Sequence, residues 1–261
     1  MPLNDANFLM WFDEAEDPFA WEIPRPFVRE PEVLSPVVWL LPGERTHIYI
    51  NTVDNTPIQY NDGVGIIIYD EKGTPTLLET ALYLAEFPGG SHLYGSFVTP
   101  GGAKQGLCRL KLGNKLTQWL WVCSPEQAQQ FTVLAKFRNS RRLQNIRYAY
   151  LPDDFYQQIR IRLANRGEEP AHDKEVYTEA STGKRRHYYS EPNLVTTFIT
   201  PEYSRWAHRA MASLLEHDTL LLNGRKYSYD GGYKANMTEA DELSTGEFTV
   251  RDESYSTLHR A

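Results

Sequence analysis

Residues 108–123, CRLKLGNKLTQWLWVC, carry the pattern on which the fold depends. Two limbs rich in β-formers flank Gly113, Asn114 and Lys115, and glycine and asparagine reverse a chain at low steric cost, so the spacing predicts a hairpin. Successive strand residues point to opposite sides, which places Trp119 and Trp121 together on one face of the second limb. A core-facing position is expected for two such large side chains. Cys108 and Cys123 are the only cysteines and stand at the hairpin ends. Without a secretory leader they are expected as reduced, buried thiols rather than a disulfide.

The same texture extends in both directions. VVWLL, THIYINTV, GVGIIIYD, TLLETALYLAEF and LYGSFVTP precede the hairpin, separated by DNTPIQYNDG, DEKGTP, PGGS and PGGAKQG. After CSPEQAQ come FTVLAKFR, NIRYAYL, FYQQIRIRLA, KEVYTEAS, RRHYYSE and LVTTFIT, and later TLLLNGRKYSYDGGY and GEFTVRDE. STGK and Asn223-Gly224 are hairpin signals within this second set. No strand run alternates with a helical pattern, so a parallel βαβ sheet is not expected. The fold class is therefore mainly β, as two antiparallel sandwich-like modules at 34–124 and 125–261, with one helix near 201–217 in the second.

That helix, from TPEYSRWAHRAMASLLEHD, opens on Thr200 as N-cap with Pro201 and Glu202 in its first turn. At about 100° per residue, Tyr203, Trp206, Ala207, Ala210, Met211 and Leu214 form one apolar stripe. Arg205, Arg209 and Glu216 fall on the opposite arc. His208 and His217 lie on different sides of the cylinder and lack the i, i+4 spacing of a shared metal site. The helix is expected to pack rather than catalyse.

The remaining chemistry is sparse. His47, His92, His172, His187 and His259 show no HxH or HExxH spacing, and YGSFV lacks the GxSxG elbow. STGKRR lacks the upstream glycine and the following helix of a phosphate loop. Asp13/Glu14, Asp153/Asp154 and Glu168/Glu169 are loop neighbours that point apart, unlike a glycosidase pair. No catalytic, cofactor-binding or metal-binding residue is assigned. Trp119, Trp121 and Tyr94 are candidates for a sugar-stacking platform.

At 261 residues and net charge −7, the chain can bury a sizeable core and has no global attraction to nucleic acid or anionic membranes. No apolar run reaches the roughly 18 to 20 residues of a membrane span. The N-terminus lacks the basic and apolar regions of a signal peptide, so cytoplasmic synthesis is expected.

Charge is nevertheless segregated. The first 33 residues hold eight acidic and two basic side chains, interleaved with Phe8, Trp11, Phe12, Phe19, Trp21 and Phe27. Prolines 18, 24, 26 and 31 forbid regular structure through most of it, predicting an extended arm. The arm either folds back onto its own module or docks on a neighbouring subunit through aromatic anchors such as Trp11, Phe12, Phe19 and Trp21. Residues 136–166 form a basic belt containing Arg138, Arg141, Arg142, Arg160 and Arg162. Three readings stand for it: an outward strand surface with Arg160 and Arg162 on one face, a partner for the acidic arm of another copy, or a nucleic-acid face.

GGSHLYGSFVTPGGAKQGLCRLKL, LWVCSPEQ and NGRKYSYDGGYKANMTEADELSTGEFTV resemble, in strand and turn texture, the tail and baseplate structural proteins of bacteriophages, especially those infecting Bacteroidota. The likeness runs from about residue 37 onward and carries over no functional residue. It implies rings or connectors built from β-sandwich domains, with arms crossing between subunits. The resulting expectation is a non-enzymatic virion component of tail, baseplate or neck, made in the host cytoplasm, whose partners are itself and other virion proteins. A carbohydrate-binding sandwich is the alternative, and a hydrolase with a composite site stands behind it.

Overall fold

A computed structural model of the chain describes residues 8–16, 36–51, 65–88, 90–143, 146–229, 231–236 and 243–253. The architecture is mainly β. In chain order the first strands are β1 (Trp11–Asp13), β2 (Val38–Leu40), β3 (Arg45–Asn51), β4 (Ile67–Asp70), β5 (Pro75–Leu77), β6 (Glu79–Phe87) and β7 (Gly90–Val98). They are followed by β8 (Gly106–Leu112), β9 (Lys115–Thr117), β10 (Leu120–Val122), helix α1 (Pro125–Phe131) and β11 (Thr132–Arg138). Then come β12 (Arg142–Leu143), β13 (Ile146–Arg147), β14 (Gln157–Arg162), β15 (Ala164–Thr178), β16 (Arg185–Ser204) and helix α2 (Arg205–Leu215). The last strands are β17 (Thr219–Leu222), β18 (Arg225–Ser228), β19 (Lys234–Ala235) and β20 (Leu243–Asp252).

Pairing runs β5–β4–β8–β10–β2–β14–β11–β17–β18–β20–β16–β15. A branch leaves β14 through β3 to β7 and β6, because β2 and β3 lie in succession along one edge of β14. The two β modules expected on either side of residue 124 are thus joined by β14. One apolar cluster runs through both, from Phe8 and Trp11 through Leu110 and Ile161 to Phe248 and Val250. All these pairs are antiparallel except β10–β2, where Trp121 stands beside Trp39.

The 108–123 hairpin is present with a break in its second limb. Lys111 pairs with Leu116, but Cys108 pairs with Leu120, one residue out of step. The extra residue at Gln118-Trp119 is absorbed as a bulge between β9 and β10. Gln118 is used there to tie down residues 8–10: its Oε1 accepts from Met10 N at 2.9 Å and its Nε2 donates to the Phe8 carbonyl. Leu120 and Val122, rather than the tryptophans, occupy the fully buried face. Trp121 packs in a separate cluster with Trp39, whose ring centroid is 6.2 Å away. Cys108 and Cys123 are free, buried thiols, with Cys108 opposite Leu120.

The helix starts four residues later than its sequence signals suggest. Residues 195–204 pair with β20, extending β16 to Ser204, and the register shifts between Thr200 and Tyr203. Pro201, which cannot donate to a ladder, sits in that irregularity. Thr200 caps no helix; its buried hydroxyl accepts from Gly246 N at 2.6 Å. The apolar stripe holds from Ala207 to Leu214, while Arg205, Arg209 and Glu216 are exposed. A second, short helix appears at α1, where Ser124 and Gln127 form a reciprocal capping box behind Pro125. The Asn223-Gly224 turn joins β17 and β18 with both residues at positive φ, 50° and 82°, as a two-residue hairpin requires.

Candidate assembly interface

Two long sheet edges lack a second partner strand among the described residues. Only Leu78 separates β5 from β6, so residues 75–87 run along the edges of two branches in succession. β6 pairs with β7 and with no other described strand. Leu77, Tyr83 and Leu84 along this stretch are 69%, 57% and 53% exposed, whereas large apolar side chains are otherwise mostly enclosed. The Tyr83 ring lies 5.6 Å from that of Tyr94 on β7. Beneath it, Gly95 at φ 155° lets the two strands approach: a Cβ there would come within 2.0 Å of the Ala81 carbonyl oxygen. An apolar edge of this kind is a template for another strand.

The second feature is the β15–β16 ribbon. RRHYYSE and LVTTFIT, expected as separate strands, form one 20-residue strand. β20 supports β16 only from Val195 onward. From Pro170↔Leu194 to Thr178↔Arg185 the two strands pair only with each other among described residues. At about 3.3 Å per residue that ribbon extends roughly 30 Å past its last supporting strand. The turn is built by Glu179, which accepts from Thr182 Oγ1 at 2.6 Å and whose N–H donates to the Lys184 carbonyl at 2.9 Å.

The residues expected to bind partners are placed differently. Trp11 is fully buried: β1 adds to β9, with Trp11 opposite Thr117, and drives the ring into the core. It is therefore no anchor for another subunit, and the fold-back alternative describes residues 8–16. Phe12 is half-buried opposite Leu116, and Glu14 meets Lys111 Nζ at 2.7 Å. Phe19 and Trp21 lie outside the described residues, as does most of the 1–33 arm. In the belt, Arg160 is buried against Glu44, a correction to its expected outward position; a guanidinium desolvated there must keep a carboxylate partner. Arg138 likewise turns inward, Nη1 donating to the carbonyls of Pro152 at 2.7 Å, Phe155 at 2.9 Å and Asp153. Arg162 is half-buried on the same strand, and its carbonyl accepts from the Tyr203 hydroxyl. Arg141 is exposed, and Arg142 stands opposite Arg147 in the β12–β13 pair. Aromatic rings also engage cations of the belt: Lys136 Nζ lies 4.7 Å above Tyr156, and the Arg147 guanidinium 4.3 Å above Phe87 on β6.

Two histidine clusters have the residue types of acid–base sites without the protonation states. His208 Nε2 lies 2.9 Å from both the Oγ and the carbonyl oxygen of Ser244, and Nδ1 meets the Tyr233 hydroxyl. A carbonyl only accepts, so Nε2 carries the proton and cannot take one from Ser244. Nδ1 accepts from Tyr233. His217 closes the C-terminal end of α2, Nδ1 donating toward the Ser213 and Leu214 carbonyls at 2.9 and 3.0 Å, while Nε2 accepts from Tyr148 at 2.7 Å. Burial lowers the pKa of both, that of His217 to about 4. His92, pinched between Phe87 at 4.1 Å and Tyr49 at 4.8 Å, is also lowered to about 4 by burial and by Arg147. These rings are neutral packing elements at neutral pH. Among the described residues no three His, Cys, Asp or Glu side chains converge as metal ligands, and no described helix is long and apolar enough to cross a membrane.

No family model, curated protein or solved structure matches the chain.

The sugar-platform candidates are each half-buried and engage different neighbours. Trp119 is covered by the Arg109 guanidinium at 5.5 Å, Trp121 by Trp39, and Tyr94 by Phe155 at 5.3 Å and Tyr83. The β6 edge went unmarked in the sequence because strand order is invisible there. Its signal was local all the same: in ETALYLAEF, Glu79 and Glu86 bracket six uncharged residues. Of the ribbon, the STGK turn and its limbs KEVYTEAS and RRHYYSE are legible in the sequence, whereas the continuity of β16 from Arg185 to Ser204 is not.

Proposed function

We propose that the chain is a non-enzymatic structural subunit that acts by associating with copies of itself and with other proteins of a phage virion, in the tail, baseplate or neck. The virion part rests on the resemblance of sequence texture from about residue 37 onward. The assembly part is carried by one observation, the β15–β16 ribbon. A two-stranded ribbon is marginal in water, and one extending roughly 30 Å beyond its sheet gains stability by lying along a neighbour. Its tip carries the exposed Lys184 and Arg185, at the turn and the start of β16. Charges so placed set the orientation of a contact more than its strength. The inward-turned Arg138 and Arg160 leave the ribbon and the β6 edge, rather than the basic belt, as the contact surfaces.

The test is a variant in which residues 171–193 are replaced by a two-residue Asn-Gly turn, compared with the full chain by analytical ultracentrifugation. The root of β16 keeps its pairing with β20, so the shortened chain is expected to stay folded and to lose the higher oligomer. Mass spectrometry of purified particles is expected to find the protein. A full chain that stays monomeric at high concentration and is absent from particles overturns the proposal.

A further inference from the structure

We infer that β6 is a two-fold interface, pairing antiparallel with β6 of a second copy of this chain to make one continuous sheet β3–β7–β6–β6–β7–β3. The inference rests on the assembly reading above and specifies a contact that the ribbon does not supply.

The chain treats its two long edges differently. β15 is blunted by the devices that keep edges from pairing: Pro170 within the strand, a bulge between Asn165 and Gly167, and exposed Glu168 and Glu169. β6 has none of these between Thr80 and Ala85, and there it exposes Tyr83 and Leu84. A head-to-tail contact of β6 with β15 would set Glu79 or Glu86 against Glu168 or Glu169 in several of its registers and would meet a proline without an N–H. Like charges set opposite across a strand pair are destabilising. Self-pairing avoids both, and an antiparallel pair of identical strands is two-fold by construction.

The register follows from the same charges. β6 has nine residues with Tyr83 at its midpoint. Centred there, every residue finds a partner: Tyr83 meets Tyr83, Leu82 meets Leu84 of the second copy, and Thr80 meets Glu86. A shift of one residue in one direction sets Glu79 against Glu86. A shift in either direction lays the Tyr83 face of one copy beside the Leu84 face of the other, because side chains alternate. The centred register instead groups Tyr83 and Tyr94 of both copies on one face and the leucines on the other. Gly95 places β7 close behind β6, so the edge is held on its inner side.

The decisive experiment is oxidative cross-linking of the full chain. Directly opposed residues have Cβ atoms about 4.5 to 5.5 Å apart, within disulfide reach after small adjustment. Cys108 and Cys123 are buried and leave the background low. Tyr83→Cys is expected to yield a covalent dimer under mild oxidation, whereas Glu79→Cys and Glu86→Cys, whose copies lie far apart in this register, yield none. A second variant, Tyr83→Lys with Leu84→Lys, changes only exposed side chains and is expected to keep the melting temperature while losing the two-fold contact in ultracentrifugation. If Tyr83→Cys gives no dimer and the lysine variant assembles like the parent, the β6 interface is wrong while assembly through the ribbon stands. A parent chain that is monomeric throughout overturns both.

Discussion

Arg160 on β14 grips Glu44 with both ends of its fork, Nε to Oε1 at 2.9 Å and Nη2 to Oε2 at 2.5 Å. Nη1 donates to Thr132 Oγ1 at 2.9 Å. Glu44 lies in the bend between β2 and β3, so the pair fixes the point where the ladder divides. Bidentate, largely desolvated geometry makes it unlike the exposed Arg166–Glu247 contact at 3.5 Å.

Glu44→Gln is therefore expected to cost about 3 kcal/mol, because it leaves a buried guanidinium without its counter-charge. Replacing both partners by apolar residues, Glu44→Leu with Arg160→Met, should recover much of that loss. Glu247→Gln should stay below about 1 kcal/mol. Urea unfolding of the four proteins checks the order.

Stability should fall as pH drops from about 6.5 toward 4. Burial holds the His217 pKa near 4 against an ordinary 6.5, so the unfolded chain takes up the proton first. The neutral ring's contribution is complete above 6.5 and is lost as pH falls through that interval, by at most about 3 kcal/mol for this group. His92, shifted in the same direction, adds to the slope. His217→Asn should be less stable at pH 7.5 and show a shallower decline, read by thermal melts across the range.

Gly95→Ala should be among the most damaging small substitutions. The added Cβ would lie 2.0 Å from the Ala81 carbonyl oxygen at φ 155°, so backbone must move. A cost of about 3 kcal/mol or more is expected, against about 1 to 2 kcal/mol for Gly73→Ala, where the left-handed φ is the whole penalty. Gly73 has nothing within 4 Å of the added atom. Thermal melts of the two variants separate steric from conformational strain.

Ser244 should resist an active-site probe. With Nε2–H of His208 donating to the Ser244 carbonyl and hydroxyl, the serine has no base. A fluorophosphonate is expected to leave the folded protein unlabelled, and Ser244→Ala to cost about 1 kcal/mol through the lost hydrogen bond. Covalent labelling of Ser244 would overturn the packing role assigned to this cluster.

The sequence by itself determined the mainly β class, the hairpins at 113–114 and 223–224 and the apolar stripe of α2, because each follows from local steric or periodic preference. The α1 capping box is equally local, in SPEQ. Tertiary structure decided what depends on partners distant in the chain. β20 drew residues 200–204 out of a well-signalled helix start, since ladder hydrogen bonds to Ser244 and Gly246 outweighed a favourable cap. β9 drew Trp11 into the core. Glu44 turned Arg160 inward, although its spacing from Arg162 reads as an outward face. Whether TALYLA is an edge or an interior strand is likewise fixed only when the order of pairing is known, because an unpaired backbone is a property of neighbours rather than of composition.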